Sequence, residues 1–304
     1  MVWEYELDQW VEKHLPALEM KKDEPMSRHA SFRTGGGAKR MAFPGTAEEL
    51  TALVDEAHRL GARPFILGNG TNILVPDEGL DRLVVSLCDL REMELGENDT
   101  ITAQAGVPLA RLADFACRND LAGLEFAHGI PGSLGGAVYM NGGAYGGEMR
   151  HVLVSALVWF PGEGLRTMTT EEMELGYRHS FFMDHPEAVI LQATVRLEKG
   201  ESDSIRAKMQ ELMERRKASQ PLEYPSAGST FKRPAGYFAG TLIDQCGLKG
   251  LTVGGAQVSK KHAGFIINIG GATSKDIVNL IAEVQRIVEE KTGVRLEPEV
   301  RVLR

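Results

Sequence analysis

The chain has 304 residues, room for about two domains, and its 43% hydrophobic and 25% charged residues are those of an ordinary globular protein. A formal charge of −8 argues against non-specific binding to nucleic acid or to an anionic membrane, and no apolar run reaches the ~18 residues of a membrane span. Three cysteines (Cys88, Cys117, Cys246) make no CxxC pair, and eight histidines show no HExxH or HxH spacing, so buried free thiols and no metal site are expected.

Residues 3–20 read as an amphipathic helix within an N-terminal extension of residues 1–30. This start is acidic and lacks an apolar h-region, so a signal peptide is not expected, and the free thiols suit a reducing cytoplasm. Thr46-Ala47-Glu48-Glu49 is a capping box that opens a helix ended by Gly61. Pro64–Leu67 reads as a short buried strand running into Gly68, and Arg82–Leu87 and Thr100–Ala105 as further strands. Pro108 starts a helix that ends near Asn119. Two longer strands follow, Val152–Phe160 and Ala188–Leu197. At Gly200-Glu201-Ser202 the texture changes, and residues 200–304 read as a separate α+β domain. Its elements are a charged helix over 203–218, helices over 236–246 and 274–291, and strands over Ala263–Ile269 and Glu299–Leu303.

The densest signal is FAHGIPGSLGGAVYMNGGAYGG at 126–147, where glycines alternate with apolar bulk and little charge. It reads as a loop in which backbone N–H groups can approach and point at a large anionic ligand. Gly68-Asn69-Gly70-Thr71-Asn72 directly follows a strand, as phosphate loops do. It is not a dinucleotide fingerprint, because Ile73 stands where Gly or Ala is required and Pro76 stops any helix; no Gly-Lys-Ser/Thr is present either. Alone it reads as a plain tight turn. Ser31-Phe32-Arg33-Thr34-Gly35-Gly36-Gly37 adds a third glycine turn, with an arginine able to pair with phosphate. Three such segments within 117 residues read as one site for a long diphosphate cofactor.

Chemistry-bearing residues in the second half are individually open. Arg178, among aromatic neighbours in YRHSFF, could grip a carboxylate with two prongs or make a structural ion pair. Ser229 in AGSTFKRP could act as a hydroxyl beside free backbone or satisfy its own turn, but it lacks the Gly-x-Ser-x-Gly of a hydrolase elbow. Glu299 in LEPEVR could be a functional acid or a solvated strand carboxylate.

Taken together, SFRTGG, LGNGTNILV, GIPGSLGGAVYMNGGAYG, YRHSFF, AGSTFKRP and LEPEVR, in this order, resemble the UDP-N-acetylenolpyruvoylglucosamine reductases of bacterial peptidoglycan synthesis, the MurB family. The resemblance runs from about residue 28 onward, nine-tenths of the chain. It implies an α+β fold: a two-lobed FAD-binding unit of the vanillyl-alcohol-oxidase (PCMH) type over 31–199, with lobes at about 31–87 and 88–199, then a smaller substrate-binding domain over 200–304. By the same resemblance, Gly68, Asn69, Gly70, Thr71, Asn72, Ile130, Pro131, Gly132, Ser133, Gly135 and Gly136 line tightly bound FAD, with Arg33 and Asn141 nearby. Arg178, Ser229 and Glu299 are catalytic, and Tyr177, Lys232 and Arg301 meet the substrate. With 51 positions from Arg178 to Ser229, the chain resembles the family's shorter subclass, which lacks the longer members' lid.

The implied partners are NADPH and a UDP-sugar carrying an enol ether with a carboxylate. NADPH reduces FAD and leaves before the sugar enters. Hydride addition at the β carbon then builds charge at the α carbon and its carboxylate, which Arg178 holds, Glu299 hydrogen-bonds as an acid kept neutral by burial, and Ser229 quenches with a proton, aided by Lys232. A flavin oxidase on the same scaffold, or a non-catalytic flavin or nucleotide-sugar binder, are the competing readings.

Overall fold

The N-terminal amphipathic pattern forms a helix over Trp3–His14 in a computed structural model, which describes residues 3–303. Leu7 and Val11, four apart and hence on one face, are its buried contacts. The helix stops short of the expected residue 20 because Pro16 disfavours helical geometry at Leu15, and Glu19–Pro25 is a strand instead. The next helix, Ala47–Arg59, begins as expected: the Thr46 hydroxyl accepts from Glu49 N at 3.1 Å. The Glu49 carboxylate reaches one residue further back than a capping box would, taking the Gly45 N–H at 2.8 Å.

The chain forms two compact units that are discontinuous in sequence. Unit 1 holds the residues up to Asp23, Lys39–Asn69 and Arg82–Glu214, and unit 2 holds Glu24–Ala38, Gly70–Asp81 and the residues from Arg215 onward. Each has its own apolar core.

Unit 1 is built on a five-stranded antiparallel sheet in the order Gly164–Thr169, Leu153–Phe160, Val189–Arg196, Thr100–Gln104, Met93–Leu95. Register is set by burial on one face, with Ala156 opposite Ala193 and Ala193 opposite Ala103. Trp159 is almost wholly buried there, its indole N–H donating to Asp55 at 3.2 Å. The helix Leu109–Arg118 packs Leu109, Leu112, Ala113, Ala116 and Cys117 inward and begins after Pro108, as expected. Phe65–Leu67 lies parallel to Leu80–Ser86 in a second sheet, so its C-terminal end opens into Gly68.

A further expectation is corrected. The glycine-rich stretch is not loop throughout, because Leu134–Tyr139 is a short helix. Ser133 caps it by accepting from Gly136 N, and Leu134, Ala137 and Val138 bury one side.

Unit 2 packs a three-stranded meander, Thr252–Val253, Ala256–Val258 and Ile266–Asn268, against the helix Ser274–Thr292. Thr273 and Asp276 form a complete capping box on that helix, and Gly293 ends it in the left-handed conformation at φ 72°. The closing strand shrinks to Arg301–Val302 and pairs in parallel with Ile73–Leu74. Among the described residues no helix is long and apolar enough to cross a membrane, and no three His, Cys, Asp or Glu side chains gather as a metal group. The three cysteines are free thiols, Cys117 and Cys246 buried and Cys88 half-buried.

Candidate active site

Unit 1 carries the glycine cradle. A Cβ at Gly68 would lie 2.4 Å from the Ser133 hydroxyl, so only glycine lets the strand end pass the cap of the Leu134–Tyr139 helix. The Asn69 amide ties the same two segments by donating to Pro131 O at 2.9 Å. Gly135 packs against a different neighbour. Its N–H donates to Ala105 O at 2.8 Å, and a Cβ there would meet Ala105 Cβ at 2.8 Å. Leu134 N is likewise spent on Val107 O at 2.8 Å. By contrast, no protein acceptor among the described residues takes the backbone N–H groups of Asn69, Gly132 and Ser133. Ile130 is half-buried, and Pro131 and Gly136 are exposed on the same segment. A close backbone approach with unspent N–H donors fits a pyrophosphate-bearing cofactor.

Asn141 does not offer its amide to a ligand. It is fully buried at φ 41°; its Nδ2 donates to Glu148 Oε2 and Gly176 O, both at 2.9 Å, and its Oδ1 accepts from Arg150 N at 3.0 Å. It thereby holds the turn that carries Arg178.

That turn is a two-residue tip, Tyr177-Arg178, between the bridged residues Gly176 and His179, whose N–H···O distances are 3.0 and 3.3 Å. Arg178 adopts φ 52°, left-handed backbone that suits glycine and costs another residue roughly 1–2 kcal/mol. Two anchors hold it from the C-terminal side. Ser180, wholly buried, donates to Tyr139 O at 2.6 Å, and Phe182 sits in the core. The Arg178 guanidinium is half-buried, donates to Gly143 O at 3.3 Å, and lies 5.5 Å from the exposed Tyr177 ring.

Unit 2 carries the other two candidates, and one backbone ladder joins them. Thr230 O accepts from Glu299 N at 2.7 Å, Phe231 is bridged to Pro298, and Lys232 N donates to Glu297 O at 2.8 Å. Ser229, exposed behind Gly228 at φ 77°, is thus one residue from the amide that fixes Glu299. The buried Thr230 is the hub: its N donates to Gly264 O at 2.8 Å and its hydroxyl accepts from Ile266 N at 3.0 Å. Behind it, His262 Nδ1 accepts from Gly264 N at 3.1 Å, and burial pushes its imidazole below the usual histidine range.

Glu299 itself is half-buried by protein. Lys232 forms a 2.5 Å ion pair with Glu297, so its charge is directed there. Asn72 donates to Glu299 O at 3.2 Å and accepts from Arg301 N at 3.1 Å, which makes it a strut for the terminal strand. Gly70, at φ 62°, could not carry a Cβ, which would fall 1.9 Å from His29 O; Thr71 beside it is half-buried. Arg33 is exposed at φ 57° on the neighbouring turn. Thr230 and His262 escape the sequence reading. The only trace of Thr230 is a β-branched hydroxyl flanked by apolar Phe231 and the glycine turn.

Fold and glycine cradle define a flavoprotein of the FAD-binding α+β class: an FAD-binding-domain model matches residues 38–168. The model of the UDP-N-acetylenolpyruvoylglucosamine reductase C-terminal domain matches residues 220–303. The chain is 49% identical over 290 residues to the UDP-N-acetylenolpyruvoylglucosamine reductase of Limosilactobacillus reuteri, covering 95% of this chain and 96% of that one. It is 50% identical over 281 residues to that of Clostridium perfringens, 92% of both chains. The crystal structure of the Thermus caldophilus reductase superposes with a TM-score of 0.80 at 35% identity, covering 94% of this chain and 99% of that one. The chain belongs to the UDP-N-acetylenolpyruvoylglucosamine reductase family.

Proposed function

We propose that this protein reduces the enolpyruvyl group of UDP-N-acetyl-3-O-(1-carboxyvinyl)-glucosamine to the lactyl ether, giving UDP-N-acetylmuramate, with NADPH as hydride donor and FAD as carrier. The observation that carries this reading is the Thr230 ladder, which sets Ser229 and Glu299, 70 residues apart in sequence, at neighbouring positions of one backbone pairing. Together with the family membership, it favours a proton-delivering reductase over a flavin oxidase, which has no use for that pair.

Bound FAD supplies hydride transfer to the β carbon of the enol ether. The protein handles the charge and the proton. Asn69, Gly132 and Ser133 hold the FAD pyrophosphate through backbone N–H groups, while Gly68, Gly70 and Gly135 keep the backbone close enough to do so. Ile130, Pro131 and Gly136 complete the wall, and Thr71 and Arg33 are assigned to the cofactor by their motifs. Asn72 and Asn141 act at one remove, as struts for Glu299 and for the Arg178 turn. Arg178 clamps the substrate carboxylate in two-pronged fashion and offsets the negative charge that grows on it. Glu299, neutral once substrate completes its burial, donates a hydrogen bond to that carboxylate. Ser229 delivers a proton to the α carbon. Tyr177 and Arg301 contact the sugar nucleotide, and Lys232, through its pair with Glu297, stiffens the ladder behind Ser229. The three free thiols and the use of NADPH favour a cytoplasmic setting for the reaction.

Rapid mixing tests the scheme. NADPH should bleach the yellow enzyme, and the enolpyruvyl sugar should restore the colour far faster than air does. Reoxidation by air as fast as by the sugar would point to an oxidase.

A further inference from the structure

Unit 1 has a recess that the reductase chemistry does not use. It measures about 330 Å³ and is lined by Arg91, Met93, Arg111, Asp114, Phe115 and Arg118. Four of these residues, 111, 114, 115 and 118, share one face of the helix Leu109–Arg118, the face turned away from its buried side. Met93 comes from the edge strand Met93–Leu95. Strand alternation sends Glu94 to the opposite face, away from the recess.

The charges here are unbalanced. Arg111 and Arg118 have no carboxylate partner among the described residues, and the Arg91 guanidinium donates only to Cys88 O. The one acid in the lining, Asp114, stands at the helical spacings that suit pairing with Arg111 and Arg118. It turns instead to His128, with Oδ1 3.6 Å from Nδ1. Three guanidinium groups around one recess, with a single carboxylate among them, repel each other, the more notably in a chain whose formal charge is −8. An anion settling among them removes that repulsion and gains two-pronged hydrogen bonds.

The geometry points to a binding site for a nucleoside 5′-polyphosphate. Seven helical residues separate Arg111 from Arg118, a rise of about 10 Å, which a single phosphate does not span but a polyphosphate chain does. Phe115 and Met93, both half-buried, offer an apolar surface for a base. The volume lies at the lower end of small-molecule sites, ~300–1,000 Å³. Bound there, the nucleotide occupies a second site, whose lining shares no residue with those assigned to FAD or to the substrate.

Calorimetric titration of the FAD-loaded protein, first saturated with UDP-N-acetylmuramate, tests this with ADP and with tripolyphosphate as probes. ADP should bind the wild type, at least tenfold more weakly to Arg111→Gln/Arg118→Gln, and several-fold more weakly to Phe115→Leu. Tripolyphosphate should bind more weakly than ADP and ignore Phe115→Leu. NADPH oxidation should proceed at the wild-type rate in the arginine double variant, whose two side chains are exposed. No ADP binding to the wild type, or equal binding to the double variant, overturns the site. Tripolyphosphate binding as tightly as ADP overturns its nucleoside character.

Discussion

Arg178 and the Ser229–Glu299 pair are positioned in opposite ways. Arg178 sits at the tip of a two-residue turn, in left-handed backbone that glycine would adopt more readily. Its surroundings impose that conformation: Asn141 grips Gly176 O, and Ser180 and Phe182 pin the other side. Ser229 and Glu299 hang from ordinary strand-like pairing, with Thr230 bonded through its N, O and hydroxyl. Of these three candidates only Arg178 therefore sits in left-handed backbone, and its guanidinium has to be aimed with its two-pronged plane in one orientation. A hydroxyl and a carboxyl can rotate to their targets, so a relaxed ladder suffices.

Several substitutions can break or sharpen this contrast. The largest effect is expected for Ser229→Ala, which removes an exposed hydroxyl and little volume. FAD content, melting temperature and reduction by NADPH should match the wild type, while flavin reoxidation by the enolpyruvyl sugar slows roughly 10²–10⁴-fold. Pre-reduced enzyme mixed rapidly with the sugar measures this; a rate within a few-fold of wild type means that Ser229 is not the proton donor.

Arg178→Lys keeps the charge and loses the planar fork. Sugar reduction should fall on the order of 100-fold, with reduction by NADPH nearly intact, the size expected for losing one preorganised oxyanion contact. Equal slowing of both half-reactions would make Arg178 structural.

Gly135→Val acts on the fold of the cradle itself. Its Cβ would press on Ala105 Cβ at 2.8 Å and on Ala105 O at 3.2 Å, so overpacking should destabilise the protein by about 2 kcal/mol and the purified protein should be pale. Thermal unfolding and the flavin absorbance read both; a yellow protein of wild-type stability removes the cradle assignment.

Arg178→Gly tests the strain directly. It should slow sugar reduction on the order of 10³-fold yet raise stability, by up to about 1 kcal/mol in denaturant unfolding, because the left-handed penalty disappears. A loss of stability would show that the arginine's contacts outweigh the strain. Ser229→Ala, on its relaxed ladder, should show no such gain.

The smallest effect concerns His262. Burial lowers its folded pKa below the unfolded value of about 6.5, so the unfolded chain binds the proton more tightly. The neutral-state contribution is complete above about pH 6.5 and fades as pH falls through the window below it. Between pH 7.5 and 5.5 the melting temperature should drop more in the wild type than in His262→Gln; parallel curves would remove His262 as the cause.

Local chemistry made several elements legible without a structure. Thr46 as a cap, Pro108 before a helix, and the apolar run Val152–Phe160 each act within a few residues, and each element appears close to its expected place. The glycine segments and the catalytic candidates were legible as wording, since the motif order alone marks the family. Other features arise only once distant segments meet. Residues 24–38 and 70–81 fold with the C-terminal part because their apolar side chains, Phe32 and Leu74 among them, complete that core, a choice that composition does not encode. Asn141 looks like a ligand contact in a glycine-rich string, yet its amide is used up by Glu148, Arg150 and Gly176. Thr230 looks incidental beside Ser229 and turns out to be the hub that links it to Glu299. Caps, turns and glycine freedom are properties of a short stretch of chain, so the sequence determined them. Which buried donor meets which acceptor depends on segments far apart in sequence coming within 3 Å of one another, and only the tertiary structure decided that.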